Sequence, residues 1–366
     1  MLRLAKTILF LGFIALFFGV VAIGFLLILS GGDPVDFART AYLNYTLSGR
    51  LEELNTPAGT DPTERIVEIA LGSSPAGIAQ QLIDEGLILD TDLFVTYVRV
   101  EGLDRELEAG TYFISQTMTI PEIAVMLTDS RNSSIAFRVA EGWRIEQIAE
   151  AIDQNPRFGF TGQDFLLVAR TDTVDETLVA QYGIPVGSSL EGFMYPDTYV
   201  FAPSITATGL VQSLFTAFQE AVGEQIRLDA QVDGYTMHDI VTIASIVERE
   251  AVWDDENVMI ASVYRNRLEI GMNMEADPTV QYGINGTRGE WWVNITVADY
   301  RGVNSPYNTY LINGLPPGPI ANPSLSAIRG AAYPAQTDFI FFRAKCDGSN
   351  YHNFAVTFDE HLANGC

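Results

Sequence analysis

The residues best suited to acid–base chemistry are two glutamates at the end of one apolar helix. The segment from His238 to Ala251 carries apolar side chains at helical spacing: Ile240, Ile243, Ala244 and Val247. Glu248 and Glu250 follow at the rim of a predicted core, where burial raises a carboxyl pKa and favours general-acid chemistry. They lie two positions apart and point to opposite sides of the helix, so periodicity does not choose between them. The plainer interpretation is that both are solvated charges paired with Arg249.

Three other segments stand out: the first is a turn-rich aromatic segment, and the other two are loops that a purely structural scaffold would not need. They are dense in Gly, Pro, Tyr and Asn and span residues 190–199, 305–310 and 314–320. The first contains Glu191, a candidate for substrate binding. Glu275 and Asp277 could supply a second carboxylate, although an Asp-Pro pair more often simply begins a turn.

Other catalytic schemes find little support. Three histidines are few for a serine or cysteine triad, and no G-x-S-x-G, H-E-x-x-H or phosphate-binding loop occurs. Cys346 and Cys366 enclose His352 and His361 in the spacing C-x5-H-x8-H-x4-C, which lacks the close cysteine pair of zinc folds. In an exported segment the simplest prediction is a disulfide that closes the C-terminal tail. Free thiols and a metal site are the alternatives.

The N-terminus predicts where these residues work. Residues 8–29, from Ile8 to Leu29, contain no charge, amide or proline, and a helix that crosses the hydrocarbon core needs about twenty apolar residues. Arg3 and Lys6 precede this run, so the positive-inside rule keeps residues 1–7 in the cytoplasm and exports the rest. The alternative is a cleaved signal peptide, whose apolar core would be only about 7–15 residues long. The longer run favours an uncleaved anchor in the cytoplasmic membrane.

The composition excludes some partners. The 366 residues include 21 basic and 46 acidic side chains and carry a net charge of −25. Nucleic acid is a poor partner, because phosphate binding requires clustered Lys and Arg. The electrostatic field of this net negative charge would repel anionic lipid surfaces. A neutral or mixed-charge ligand fits better.

The exported part divides into three predicted regions. Residues 30–63 read as a membrane-proximal stalk that contains one amphipathic stretch. Residues 64–130 predict strand, helix, helix and strand, an order typical of LysM-type glycan-binding modules but also of any small α+β domain. Residues 131–366 begin with a strand at 135–139 and a helix at 145–152, and they contain the candidate chemistry.

The ordered motifs of this chain resemble the endolytic murein transglycosylases, the YceG-like or MltG family. The matching stretches are residues 139–144, 190–201, 244–250, 261–272, 277–283, 305–310, 314–322, 332–334 and 352–354. The resemblance implies an α+β protein with a transmembrane helix, a LysM-like module and a mixed α/β YceG-like catalytic domain. It implies no cofactor and no metal.

The resemblance also implies a reaction. The family cuts the bond between N-acetylmuramic acid and N-acetylglucosamine inside nascent peptidoglycan strands and leaves 1,6-anhydro ends. One carboxyl group can suffice, because it protonates the glycosidic oxygen and then takes the proton from the C6 hydroxyl that closes the ring. Two-carboxylate glycosidases need a second carboxyl group, which acts as the nucleophile or activates a water molecule. The implied partners are glycan strands, the membrane and peptidoglycan synthases, and a non-catalytic wall-binding protein is the alternative function.

The family pattern separates the two glutamates. Lytic transglycosylases carry their acid in a pattern like I-x-x-E-S/T-A, which fits best with Glu250 as the acid, although Ala251 replaces the usual hydroxyl residue. We expect Tyr282, Tyr307 and Asn308 to line the sugar cleft, because aromatic rings and amides suit sugar rings and hydroxyls. The alternative is that the tyrosines belong to the core and Asn308 caps a turn.

Overall fold

The computed structural model describes residues 34–129, 134–170, 176–287 and 289–366. The chain divides into two compact units, Met1–Ser134 and Ile135–Cys366. Within the described residues, both units mix helices with two-stranded antiparallel sheets, which agrees with the predicted α+β class. No described helix is both long and apolar enough to cross a bilayer. The predicted anchor, residues 8–29, lies outside the described residues.

The first unit is a small sheet covered by helices. Its elements are α1 (Pro34–Ser48), α2 (Leu51–Leu54), β1 (Arg65–Ile69), α3 (Pro75–Asp84), α4 (Thr91–Val100), a 3-10 turn (Leu103–Arg105), β2 (Gly110–Ile114) and α5 (Ile120–Met126). The strands pair antiparallel from Arg65 opposite Ile114 to Ile69 opposite Gly110. The Ser74 hydroxyl accepts from the Gly77 amide at 3.2 Å, and Pro75 opens α3.

The predicted stalk is more ordered than an extended connection. Residues from Pro34 to Leu54 are largely helical, and Leu47 and Leu54 are buried in the same apolar cluster as the strand residue Val67. Burial of these side chains removes apolar surface from water and holds the helices on the unit. The reach of this segment is therefore shorter than that of an extended chain of equal length.

The second unit is built around one buried helix. Its elements are β3 (Ile135–Val139), α6 (Ile145–Asp153), α7 (Gly162–Arg170), α8 (Glu176–Gln181), β4 (Asp197–Phe201), α9 (Ala207–Val232), α10 (Met237–Glu250), a 3-10 turn (Asp254–Glu256), α11 (Asn257–Glu269), α12 (Asp277–Ile284), α13 (Val297–Gly302), α14 (Leu325–Ala332), β5 (Phe341–Ala344), β6 (His352–Ala355) and α15 (Phe358–Ala363). β3 pairs with β4, and β5 pairs with β6. α9 is kinked at Gly223, whose φ is 73°.

Helix α10 is buried on every side from Ile240 to Val247. The sequence predicts one apolar stripe, but the structure also buries Thr242 and Ser245. Their hydroxyls donate to the carbonyls of His238 and Thr242 at 2.7 and 2.8 Å, so these polar groups remain satisfied inside the core. The helix therefore forms a rigid support for whatever its C-terminal end carries.

The C-terminal tail is closed by the predicted disulfide. Cys346 and Cys366 are bonded, with their Cα atoms 5.6 Å apart. The bond ties the end of the chain, just beyond α15, to the turn between β5 and β6. Both thiols are used in this bond, and no group of potential metal ligands occurs among the described residues.

Candidate active site

Helix α10 ends at Glu250 because Ala251 adopts an extended backbone conformation. The other end is fixed by a capping box: the Thr236 amide donates to Asp239 at 2.8 Å, and the Asp239 amide donates to the Thr236 hydroxyl at 3.1 Å. Between these ends the buried turns leave the helix little freedom to rotate. The last turn therefore presents Glu248, Arg249 and Glu250 at fixed positions at the edge of the core.

Glu250 has the environment of a general acid. The Tyr264 hydroxyl, buried on α11, donates to Glu250 Oε1 at 3.0 Å. Burial and, to a smaller extent, the negative charge of Asp277 raise the pKa of the Glu250 carboxyl group to about 7. The Tyr264 hydrogen bond and the charges of Arg267 and Arg249 oppose that rise. The group is therefore close to half protonated at neutral pH, which suits an acid that must later act as a base.

Glu248 is held by another helix. Its Oε2 accepts from the Ser324 amide at 3.0 Å and from the Ser324 hydroxyl at 2.6 Å. Ser324 is the N-cap of α14, so the carboxylate satisfies the start of that helix. Burial raises the pKa of Glu248, and the bonds from Ser324 lower it. The two glutamates therefore differ in environment, which the periodicity of α10 does not reveal.

Arg249 does not pair with either glutamate in the described structure. Its guanidinium carbon lies 4.2 Å from the ring centre of Trp292, a cation–π contact. Its Nε is buried without a hydrogen-bond partner among the described residues, and burial lowers the pKa of this side chain. The interpretation of the helix end as solvated ion pairs is therefore wrong in this structure.

Asp277 is the second carboxylate of the neighbourhood. It opens α12, and its Oδ1 accepts from the Tyr310 hydroxyl at 2.6 Å. The Tyr300 hydroxyl lies 3.5 Å from Oδ2, and the rings of Tyr300 and Tyr310 stack with centres 4.2 Å apart. Asp277 therefore begins a helix and not the predicted turn, and its charge also acts on Glu250.

Glu191 lies inside the second unit and is only 2% exposed. It accepts from the Ile145 amide at 3.1 Å and from the Asn322 side-chain amide at 3.2 Å. Burial raises the pKa of Glu191 to about 8, with Glu146 adding to the rise and Arg144 opposing it. The side chain thus links the start of α6 to the 314–322 loop, and its predicted role in substrate binding stays a prediction.

The loops that carry these residues approach each other closely. Gly192 has a φ of 86°, and a Cβ there would lie 2.5 Å from Pro319 Cβ and 2.7 Å from Val241 Cγ1. Asn322 accepts from the Met194 amide at 2.9 Å and donates to the Trp143 carbonyl at 2.9 Å. The segments around residues 143, 192 and 320 are therefore joined into one support, although they are far apart in sequence.

The structure brings Tyr282 and Tyr307 together and gives Asn308 a loop-forming position. The two tyrosine rings are 4.6 Å apart, and both side chains are partly exposed. Asn308 is fully buried; its amide donates to the carbonyls of Tyr300 and Val303 at 3.1 and 2.8 Å, and its oxygen accepts from the Tyr310 amide at 3.0 Å. Its position matches the alternative in which Asn308 holds a turn.

Sequence reasoning did not assign roles to several residues of this neighbourhood. Arg144 is only 1% exposed, and its guanidinium carbon lies 4.0 Å from the centre of the Tyr282 ring and 4.9 Å from that of Trp291. Trp291 donates to Glu150 at 3.0 Å, and Trp292 donates to Gln147 at 3.2 Å. An adjacent tryptophan pair in a polar loop was the available signal. Nothing in the local pattern shows that Arg144 packs against this pair or that Tyr264 contacts Glu250.

The arrangement can be compared with known proteins. A model of the YceG-like family matches residues 67–365. This chain belongs to the YceG-like family. The endolytic murein transglycosylase of Bacillus subtilis (strain 168) is 30% identical to it over 311 residues, which cover 81% of this chain and 82% of the relative.

Two further relatives support the family assignment. The endolytic murein transglycosylase of Streptococcus pneumoniae (strain D39) is 27% identical over 301 residues, 76% of this YceG-like chain and 54% of the longer relative. A 2.6 Å crystal structure of a YceG-like protein from Listeria monocytogenes is 30% identical, with a TM-score of 0.55 over 82% of this chain and 98% of that one. The family and its fold are therefore shown by sequence and by structure.

Proposed function

We propose that this YceG-like protein is an endolytic murein transglycosylase, a lyase, with Glu250 as its acid and base. Relatives that carry this name match most of the chain. The observation that carries the assignment of the acid is the setting of Glu250: a half-buried carboxyl group at the end of a rigid helix, with one oxygen held by Tyr264 and a pKa near 7. Glu248 is a poorer candidate because Ser324 occupies its carboxylate.

The proposed reaction uses this carboxyl group twice. Protonated Glu250 donates to the glycosidic oxygen between N-acetylmuramic acid and N-acetylglucosamine. The N-acetylglucosamine leaves with that oxygen, and positive charge develops at the anomeric carbon of the N-acetylmuramic acid. The resulting carboxylate accepts the proton of the C6 hydroxyl as that oxygen closes the 1,6-anhydro ring. A pKa near 7 serves both steps, because neither protonation state is strongly disfavoured at neutral pH.

Asp277 is the second charged group of the proposed mechanism. Two tyrosine hydroxyls face its carboxylate: the Tyr310 hydroxyl donates to Oδ1 at 2.6 Å, and the Tyr300 hydroxyl lies 3.5 Å from Oδ2. The negative charge of Asp277 raises the pKa of Glu250, which favours the protonated acid before the reaction, and it would stabilise the positive charge that develops in the sugar. Because the substrate supplies its own nucleophile, Asp277 needs no covalent role.

The cellular setting is part of the proposal. Residues 8–29 anchor the chain in the cytoplasmic membrane with the catalytic unit outside, where nascent strands emerge. The first unit acts as a LysM-like glycan-binding module, which its strand–helix–helix–strand order supports. Cutting near the membrane ends the growth of a strand, and a peptidoglycan synthase is a suitable partner at that place.

The test is the product formed from purified glycan strands. Wild-type protein should yield 1,6-anhydro-muropeptides in mass spectrometry, whereas reducing ends would indicate a hydrolase and no cleavage a wall-binding protein. Glu250→Gln should reduce anhydro product about 10²–10⁴-fold, because an amide does not donate a proton as an acid. Glu248→Gln is the matched control and should keep most activity. The assignment of the acid is wrong if the two variants behave in the opposite way.

A further inference from the structure

A cavity in the first unit gathers three arginines. It has a volume of about 330 Å³, and Arg39 of α1, Arg99 of α4 and Arg105 of the following 3-10 turn line it together with Asp104. The three arginine side chains are exposed. Asp104 is the only carboxylate among the lining residues. The cavity therefore carries a local excess of positive charge.

This excess is unusual for its surroundings. Residues 34–129 contain only five basic side chains against sixteen acidic ones, and three of the five meet in this cavity. The other two serve the fold: Arg50 pairs with Asp90 at 2.6 Å, and Arg65 donates to the Glu85 carbonyl. None of the three cavity arginines forms an ion pair or side-chain hydrogen bond within the described residues. Converging like charges repel one another, and an anionic ligand would relieve that repulsion.

We propose that this cavity binds a phosphate or diphosphate group carried by a lipid. Guanidinium groups present paired N–H donors that match phosphate oxygens, and several of them around one concave site bind a multiply charged group better than a single one does. The Thr40 hydroxyl lines the same cavity and can add a donor. The rest of this strongly acidic chain repels anions, so the cavity would be a selective exception.

The position along the chain points to a lipid as the carrier. Arg39 lies ten residues beyond Leu29, the end of the proposed membrane helix. Even a fully extended connection of ten residues spans at most about 36 Å, and the α1 turns before Arg39 shorten it. The cavity thus lies within reach of the outer membrane surface. The choice of a lipid as the carrier rests on the proposed anchor. The cavity and its positive charge are independent of that anchor.

Binding is tested with the full-length protein in neutral detergent micelles. Farnesyl diphosphate and a short-chain phosphatidylglycerol are titrated by calorimetry, with farnesol as the uncharged control. The variant Arg39→Gln/Arg99→Gln/Arg105→Gln should bind the phosphate-bearing probes about a hundredfold more weakly, because each charge-assisted hydrogen bond contributes to the binding free energy. The matched control Arg138→Gln/Arg301→Gln/Arg329→Gln removes three exposed charges from the second unit and should bind like wild type.

The outcomes distinguish between the two lipid carriers and also show whether the cavity binds a phosphate group at all. Tighter binding of farnesyl diphosphate indicates a lipid-linked diphosphate, and tighter binding of phosphatidylglycerol indicates a bilayer headgroup. Equal affinity in wild type and the cavity variant, equal weakening in both triple variants, or no binding of either phosphate probe would overturn the proposal. Lipid binding is measured without glycan strands, so this test fails or succeeds independently of the proposed enzyme activity.

Discussion

Three glutamates of the second unit show how the surroundings of a carboxyl group decide its chemistry. Glu248 is engaged by the N-cap of α14, Glu191 is enclosed between loops, and Glu250 is held at one oxygen by a tyrosine. Burial raises the pKa of all three, but only Glu250 combines a pKa near 7 with a position at the end of α10. The same side chain thus serves as a helix cap, a loop anchor and a proposed acid.

Tyr264 tunes the proposed acid. Its hydroxyl donates to Glu250 and lowers the pKa of that carboxyl group, so Tyr264→Phe should raise the pKa above its present value of about 7. Because the acid must be protonated, activity is lost as the pH rises through this pKa. The basic limb of the kcat profile should therefore move to higher pH in Tyr264→Phe. A profile of unchanged shape with lower kcat would show that the hydroxyl only positions the carboxyl group.

Asp277 shifts the pKa of Glu250 in the opposite direction to Tyr264. Its negative charge raises the pKa of Glu250, so Asp277→Asn should lower that pKa and move the basic limb of the kcat profile to lower pH. Loss of the carboxylate should also lower kcat, since the charge that stabilises the developing cation is removed. Matched pH profiles of Asp277→Asn and Tyr264→Phe on the same glycan substrate test both effects. Shifts in the same direction would contradict this account.

The elements of the second unit position the site through long-range connections. α10 is locked by burial on all sides, α11 brings Tyr264 beneath the acid, and α12 brings Asp277 beside it. The hairpin of β5 and β6 is attached to this group at the start of α11, because the His352 amide donates to Glu256 at 2.8 Å. The disulfide then ties the tail to the hairpin.

The disulfide should contribute to the stability of the second unit. Cys346 and Cys366 are 20 positions apart, and closing a loop of this size stabilises a folded chain by about 3 kcal/mol in the chain-entropy account. Cys346→Ser/Cys366→Ser should lower the free energy of unfolding by that amount in urea denaturation. Wild-type protein measured with a reducing agent is the control and should match the variant. Identical unfolding midpoints for the variant and the oxidised wild type would refute this contribution.

At the scale of the whole molecule, the chain places two folded units after a proposed membrane anchor. The first unit begins with α1, only a few residues after the apolar run, and α1 and α2 pack on that unit. An apolar segment, a small sheet module and a catalytic unit in this order suit an enzyme that works on strands emerging from a membrane. The strongly negative charge of the chain disfavours nucleic acid as a partner.

The anchor should direct the enzyme to nascent strands. Replacing residues 1–30 with a cleavable signal peptide should leave cleavage of purified glycan unchanged, because the candidate active-site residues belong to the second unit. In cells, the released protein should lose its preference for new strands, and glycan strands should become longer than in wild type. Strand lengths measured by chromatography test this result. An unchanged distribution in cells that carry only the released form would show that the anchor does not target the cut.

Local patterns were sufficient to predict many elements. Alternation and capping residues predict β1, α3, β2 and β3, and the apolar spacing predicts α10 within one residue of its observed ends. These elements depend on side chains close together in sequence, which is where periodicity carries information. The partner of β3 was not predictable in this way, because β4 lies about sixty residues further along the chain.

The candidate active site likewise has some features that the sequence predicts and others that depend on the tertiary structure. The sequence by itself determined that acidic groups end an apolar helix and that aromatic loops follow, and its ordered motifs indicated the family. Only the tertiary structure placed Ser324 on Glu248 and Tyr264 on Glu250, and only it enclosed Arg144 among aromatic rings. Burial and hydrogen bonding by residues distant in sequence set the pKa of each carboxyl group, so two glutamates that periodicity treats alike became chemically different.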